Sequence, residues 1–319
     1  MGGTWAASML AALAATVGRP GWWVMALAAF LVRGGIVIVL FPLVSLPSAP
    51  ALATALAPTI EALALGRQSL EGALYGTAVI TLLVGFLVVA AFTGTWLDIA
   101  LALEAERAAE LDLRAPPFPV SAWRILAIRL LAHLPTLVAL AYAAVRIVMV
   151  TYQELLSPGD PVLPIALRIL GRAPDAVVVP GAAWLLGEAL GGLAARRGAE
   201  GDSIGASVRG GVRDLIGMRG IATFMLTDAA VLGAVLLLLA VVGRAGDHVR
   251  ASLFDRADDV SLGAALLLLV TTWALALAVL GAALAWRATA WTIVAAPRRQ
   301  VRATETAEDA AHVPEASAG

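Results

Sequence analysis

Apolar residues along this chain come in long blocks separated by short polar stretches. Residues 261–286, SLGAALLLLVTTWALALAVLGAALAW, contain no charged side chain. At a rise of about 1.5 Å per residue, a helix of that length crosses a hydrocarbon core of about 30 Å. Comparable blocks recur, and the pattern predicts six spans, at about 21–46, 73–97, 131–153, 176–195, 221–242 and 262–290. The expected fold is an all-α polytopic membrane bundle. It is expected as a single domain over residues 1–297, followed by a tail, 298–319, whose acidic, Ala-rich composition without apolar periodicity reads as disordered.

The polar stretches add a second pattern. Three segments that precede the odd-numbered spans look alike: ASMLAALAATVGRPGWW from Ala7, VSAWRILAIRLLAHLPTL from Val120 and GASVRGGVRDLIGMRGIA from Gly205. Each begins near a Ser able to cap a helix, runs for about three turns and ends in Pro or Gly. They read as amphipathic elbow helices lying in the membrane interface before the chain turns inward. The chain is then three units, each an elbow plus a transmembrane hairpin. The connection 47–72 holds Pro47, Pro50 and Pro58 with few charges, which suits a short interfacial or re-entrant helix. In 164–174, Arg168 and Arg172 fall one turn apart on one helical face, placed either to grip a lipid headgroup phosphate or to snorkel to water.

Charge fixes an expected orientation. Arg19, Arg107, Arg114, Arg124, Arg196, Arg197, Arg209, Arg213, Arg219, Arg298, Arg299 and Arg302 flank the elbow side. The opposite side has Arg67, Arg168, Arg172, Arg244, Arg250 and Arg256. This bias predicts a bacterial inner-membrane protein with both termini cytoplasmic. The start MGGTWA lacks the basic region of a signal peptide and the Ser or Thr of a myristoylation signal.

Composition narrows the chemistry. Of 319 residues 61% are hydrophobic and 14% charged, where a soluble domain carries about 25% charged. A net charge of −1 implies no nucleic-acid partner. All basic residues apart from His are Arg, which excludes a Schiff-base or phosphate-loop lysine. With no Cys and with His133, His248 and His312 far apart, there is no disulfide, thiol nucleophile or compact metal motif. The chain has no HExxH, GxSxG or GxxxxGK[ST] motif. FDRADDVS (254–261) does not match a calcium loop, and its Asp258, Asp259 and Ser261 read as caps of the last span. No enzyme activity and no cofactor is expected.

Charges inside the spans are the candidate chemistry, because an ionised group at mid-membrane costs at least about 2.5 kcal/mol and needs protein or water around it. The candidates are Arg33, His133, Arg146, Glu188 and Asp228. Arg33 and Glu188 match in depth and are expected to pair. Asp228 is expected near His133, and Arg146 near Glu154 or water. The cluster reads either as buried ion pairs that fix helix packing or as a polar path between helices. Gly187 and Gly191, like Gly72 and Gly76, are spaced for close helix approach within the chain. The uncharged second and sixth spans are expected at the lipid-facing periphery.

The phrases GRPGWWVMALAAFLVRGGIVIVLFPLVSLPS (18–48), YQELLSPGD (152–160) and LRILGRAPDAV (167–177) resemble uncharacterised six-span membrane proteins of high-GC bacteria. The elbow-plus-hairpin order more loosely resembles the membrane domain of some bacterial glycerophosphodiester phosphodiesterases, whose catalytic domain has no counterpart here. The expected role is non-enzymatic: handling a lipid or hydrophobic solute, or supporting a membrane assembly. Expected partners are the bilayer, anionic headgroups at Arg168 and Arg172, or another membrane protein. A small-solute transporter is the alternative, and an intramembrane enzyme a distant third.

Overall fold

A computed structural model describes residues 4–40, 42, 70–108, 118–157, 165–199, 201–254 and 259–311. All regular structure among them is helical, and six helices are long and apolar enough to cross a membrane. The elements are α1 (Trp5–Val17), α2 (Pro20–Phe30), a π-helical turn (Leu31–Gly35), α3 (Ile36–Leu40), α4 (Leu70–Ala108), α5 (Phe118–Ala132) and α6 (Leu134–Leu156). They continue with α7 (Ile165–Arg172), α8 (Asp175–Ala199), α9 (Ile204–Ile216), α10 (Met218–Phe254) and α11 (Asp259–Ala311). The chain is therefore a multi-pass membrane protein. Its outer surface is apolar: Val138, Val148 and Leu267 are 72%, 68% and 68% exposed, a pattern that suits lipid rather than water.

Local signals explain most boundaries. Thr4 caps α1 by accepting from the Ala7 N–H, and Ser203 caps α9 by accepting from the Ala206 N–H. The first cap is thus Thr4 rather than a Ser. Pro stands in the first turn of both α2 and α6, where its missing N–H costs nothing. Pro180 lies inside α8 without ending it.

Three spans are longer than the apolar pattern predicts. α4 runs past residue 97 through Asp98 to Ala108, and α10 runs past residue 242 to Phe254. α11 continues to Ala311, so a tail expected to be disordered is helical up to that residue. Ala, Arg and Glu are strong helix formers, and propensity carries a helix where apolar periodicity has stopped. The connection 43–69, the cap at Asp258 and residues 312–319 lie outside the described residues.

The three elbows exist, each ahead of a span. α1 packs on α11, α5 on α4 and α9 on α8, so each elbow rests on the second span of the preceding unit and the ring closes. The second elbow, α5, packs against α8 as well as α4. A Cβ on Gly191 would touch Arg129 and Ala132, and one on Gly198 would meet Ile125 and Ile128. Gly187 and Gly191 thus serve packing inside the chain, as their spacing predicts. α1 is pinned by indole donors: Trp5 Nε1 to Thr223 Oγ1 at 3.0 Å, Trp23 Nε1 to the Thr16 carbonyl at 2.8 Å and Trp286 Nε1 to the Met9 carbonyl at 3.3 Å. The main apolar core joins α2, α3, α4, α10 and α11 through residues such as Phe30, Val39, Leu101, Leu238, Val242 and Leu280.

Candidate functional site

The first span breaks where its charge stands. In the π-helical turn, Gly34 has φ 104°, and Arg33 beside it leaves helical geometry at φ −81°, ψ 16°. A bulge of this kind releases a carbonyl, and Arg33 takes it: its Nε donates to the Ala29 oxygen at 2.9 Å. The guanidinium then projects toward α4 and α8. Gly94 makes the space, since a Cβ there would stand 2.8 Å from Arg33 Cγ.

Seven titratable groups meet in this region. Arg33 Nη1 lies 2.8 Å from Asp98 Oδ2 and 3.2 Å from Glu188 Oε2. Arg129 Nη2, from α5, reaches the same Asp98 oxygen at 2.7 Å, and its Nη1 is 3.9 Å from Glu188. His133 Nε2, at the α5–α6 junction, is 3.3 Å from Glu188 Oε1, while its Nδ1 contacts the Arg129 carbonyl at 2.8 Å. Arg287 closes the far side, with Nη1 2.9 Å from Asp228 Oδ1 and Nη2 3.5 Å from Glu188. Glu188 and Asp228 are buried, as is Arg287. By helical rise the cluster lies about 15–20 Å in from the elbow-side ends of α2, α4, α8 and α10. Three guanidiniums face three carboxylates, so the charges cancel when His133 is neutral, the condition under which buried ions are tolerated.

A cavity of about 80 Å³ opens against this cluster. That volume holds several waters, at about 10–15 Å³ each. Arg33, Asp98, Arg129, Glu188 and Arg287 line one end, and Glu106, Arg196 and Ala199 the other, near the elbow-side ends of α4 and α8. Between them the walls are Ala26, Leu101, Ala102, Leu103, Ile125, Leu284 and Trp291. Arg196 is tied back to α11, donating to Thr292 Oγ1 at 2.9 Å and to the Ala288 carbonyl at 2.6 Å. Arg197 holds the third elbow by donating to Asp214 at 2.6 Å. Among the described residues no cluster of His, Cys, Asp and Glu fits a metal ion.

The structure joins Arg33 to Glu188, as depth matching predicts, and brings His133 and Asp228 to the same site. It corrects their partners: His133 faces Glu188, and Asp228 faces Arg287. Arg146 is elsewhere. Its Nε donates to Asp175 Oδ2 at 2.9 Å, and the Tyr142 hydroxyl donates to the same carboxylate. Glu154, expected beside Arg146, has a fully buried side chain and takes both Arg168 and Arg172, each at 2.9 Å. Both arginines share the buried Glu154 carboxylate of α6, while the Arg172 side chain stays 44% exposed.

Asp98, Arg129 and Arg287 complete the cluster and are not among the residues singled out from sequence. Asp98 follows directly on an uncharged block, so block counting leaves it at a span end. The signal that places it inside is the unbroken run of helix formers from Ile99 to Ala108. Arg287 likewise ends an apolar block, and Arg129 sits in an elbow expected at the surface. The elbow-side parts of the second and sixth spans therefore face the cluster, while their outer parts stay exposed, as at Leu82, Phe86, Leu267 and Leu275. Comparison with protein-family models, with curated proteins and with solved structures returns no match.

Proposed function

We propose that this multi-pass membrane protein binds and handles an amphipathic molecule, a lipid or hydrophobic solute, whose polar end enters the elbow-side cavity. The observation that supports the reading is the cavity itself: a space with apolar walls between the ring of ionised groups at one end and Glu106 and Arg196 at the other. Apolar walls suit a hydrocarbon portion, and the convergent guanidiniums of the ring fix a head. The proposed role is binding rather than catalysis.

The test fills the cavity. Ala102 lines the cavity and makes no ion pair itself, so Ala102→Phe projects a ring into the space. Native mass spectrometry of protein extracted in a neutral detergent should show a bound amphiphile on the wild type and its loss from the variant, at unchanged thermal stability. Equal occupancy in both proteins refutes the reading.

A second reading, solute transport, draws on the broken helix at Arg33–Gly34, because interrupted helices carry the binding sites of many transporters. It predicts solute flux into proteoliposomes that Glu188→Gln abolishes while folding is retained. For orientation, we propose a bacterial inner membrane with cytoplasmic termini, supported by the excess of arginines on the elbow side. A single Cys at Ala310 should react with an impermeant thiol reagent only after the membrane is opened. Labelling in intact cells refutes that topology.

A further inference from the structure

Glu188 stands in an unusual position. Four basic groups converge on its carboxylate, Arg33 from the π-helical turn, Arg129 from α5, His133 from the α5–α6 junction and Arg287 from α11, at 3.2, 3.9, 3.3 and 3.5 Å. Each arginine makes its short contact elsewhere: Arg33 and Arg129 with Asp98 at 2.8 and 2.7 Å, and Arg287 with Asp228 at 2.9 Å. Charge-assisted bonds normally close to about 2.7–2.9 Å. The ring is therefore wider than one tethered carboxylate can draw together. The buried Arg129 Nε has no hydrogen-bond partner among the described residues, although Arg129 lines the cavity.

The charge balance says what fits. Asp98 and Asp228 neutralise two of the three guanidiniums, and Glu188 neutralises the third. A ligand with one negative charge can take the place of Glu188 and leave no net buried charge when the Glu188 carboxylate takes up a proton as it is displaced; a zwitterion or a cation cannot. The geometry points to an anion site that Glu188 itself occupies, built to take the carboxylate or phosphate head of a singly charged anionic amphiphile while the displaced Glu188 takes up a proton. This inference rests on the amphiphile reading above and adds the charge of the head.

The experiment titrates the full chain in a neutral detergent with laurate, dodecylphosphocholine and acetate, counting bound ligand by native mass spectrometry. One laurate per chain is expected, with little binding of dodecylphosphocholine. Glu188→Gln keeps the shape, removes the resident charge and should tighten laurate binding about tenfold or more. Arg129→Gln leaves Asp98 held by Arg33 and should weaken laurate binding about tenfold or more. Laurate affinity unchanged or reduced in Glu188→Gln overturns the inference. If that variant does not fold, unchanged laurate affinity in folded Arg129→Gln overturns it instead. Equal binding of laurate and dodecylphosphocholine in every variant removes the anion preference and leaves the amphiphile reading standing. Acetate binding as tightly as laurate does the reverse.

Discussion

The pair Asp228–Arg287 tests how the buried cluster holds the bundle together. Arg287 Nη1 meets Asp228 Oδ1 at 2.9 Å, and the other end of the guanidinium has only the longer 3.5 Å contact with Glu188. Both residues are buried, 5% and 9% exposed, and of the two Arg287 borders the cavity, so bulk water does not replace a lost partner. At a charge separation of about 4 Å and an effective dielectric of about 20, their attraction is about 4 kcal/mol. Either Asp228→Ala or Arg287→Ala strands the other charge and should cost about 3–5 kcal/mol. The double variant strands neither residue of the pair, so it should be less destabilising than the sum of the singles by about 2–3 kcal/mol. The same cycle on Arg33 and Glu188 should give a smaller coupling, because Arg33 keeps Asp98 at 2.8 Å and Glu188 keeps three other basic groups. The assay is reversible unfolding in mixed micelles of increasing SDS fraction, followed by tryptophan fluorescence. Additive losses for Asp228 and Arg287, or a larger coupling for Arg33 and Glu188, refute the reasoning.

Three further outcomes follow from the geometry. Gly94→Ala puts a methyl 2.8 Å from Arg33 Cγ and should destabilise by about 1–2 kcal/mol, with most of that loss disappearing in an Arg33→Ala background; a full loss in that background shows that something other than the arginine needs the space. Gly34 has φ 104° with nothing near a would-be Cβ, so Gly34→Ala should cost about 1–3 kcal/mol from backbone strain alone. Gly34→Asn should cost less, since Asn tolerates positive φ, and equal losses in thermal melts contradict this account. Glu154→Gln leaves Arg168 and Arg172 without their shared carboxylate, and amide exchange over 165–172 should rise while that of α8 stays slow; unchanged protection of α7 means the ion pairs do not hold it.

Much of this architecture is legible from the chain alone, because a bilayer imposes one-dimensional rules. Length and hydropathy suffice for six spans, and the Pro and Gly signals at Pro20 and Gly217 mark where the first and third elbows end, whereas the Thr4 cap is visible only in the structure. Arg33 and Glu188 are also legible as a pair, since helical rise converts residue number into depth. Depth says nothing of azimuth, however. Asp228 and His133 share a level, yet each points to a different neighbour, and Arg146 finds Asp175 across α8 instead of Glu154 on its own helix.

The sequence by itself determined that this is a helical membrane protein of three elbow-and-hairpin units carrying ionised groups within its spans, because backbone satisfaction in lipid and the cost of a buried charge depend only on local composition and length. Only the tertiary structure decided which charges meet. That depended on the break at Arg33–Gly34, on glycines at 94, 187 and 191 that admit side chains from other helices, and on an elbow that packs beside α8 to deliver Arg129. These are facts of rotation and contact between helices far apart in the chain. They drew Asp98 and Arg287, at the ends of the two purest apolar blocks, into the centre of the bundle.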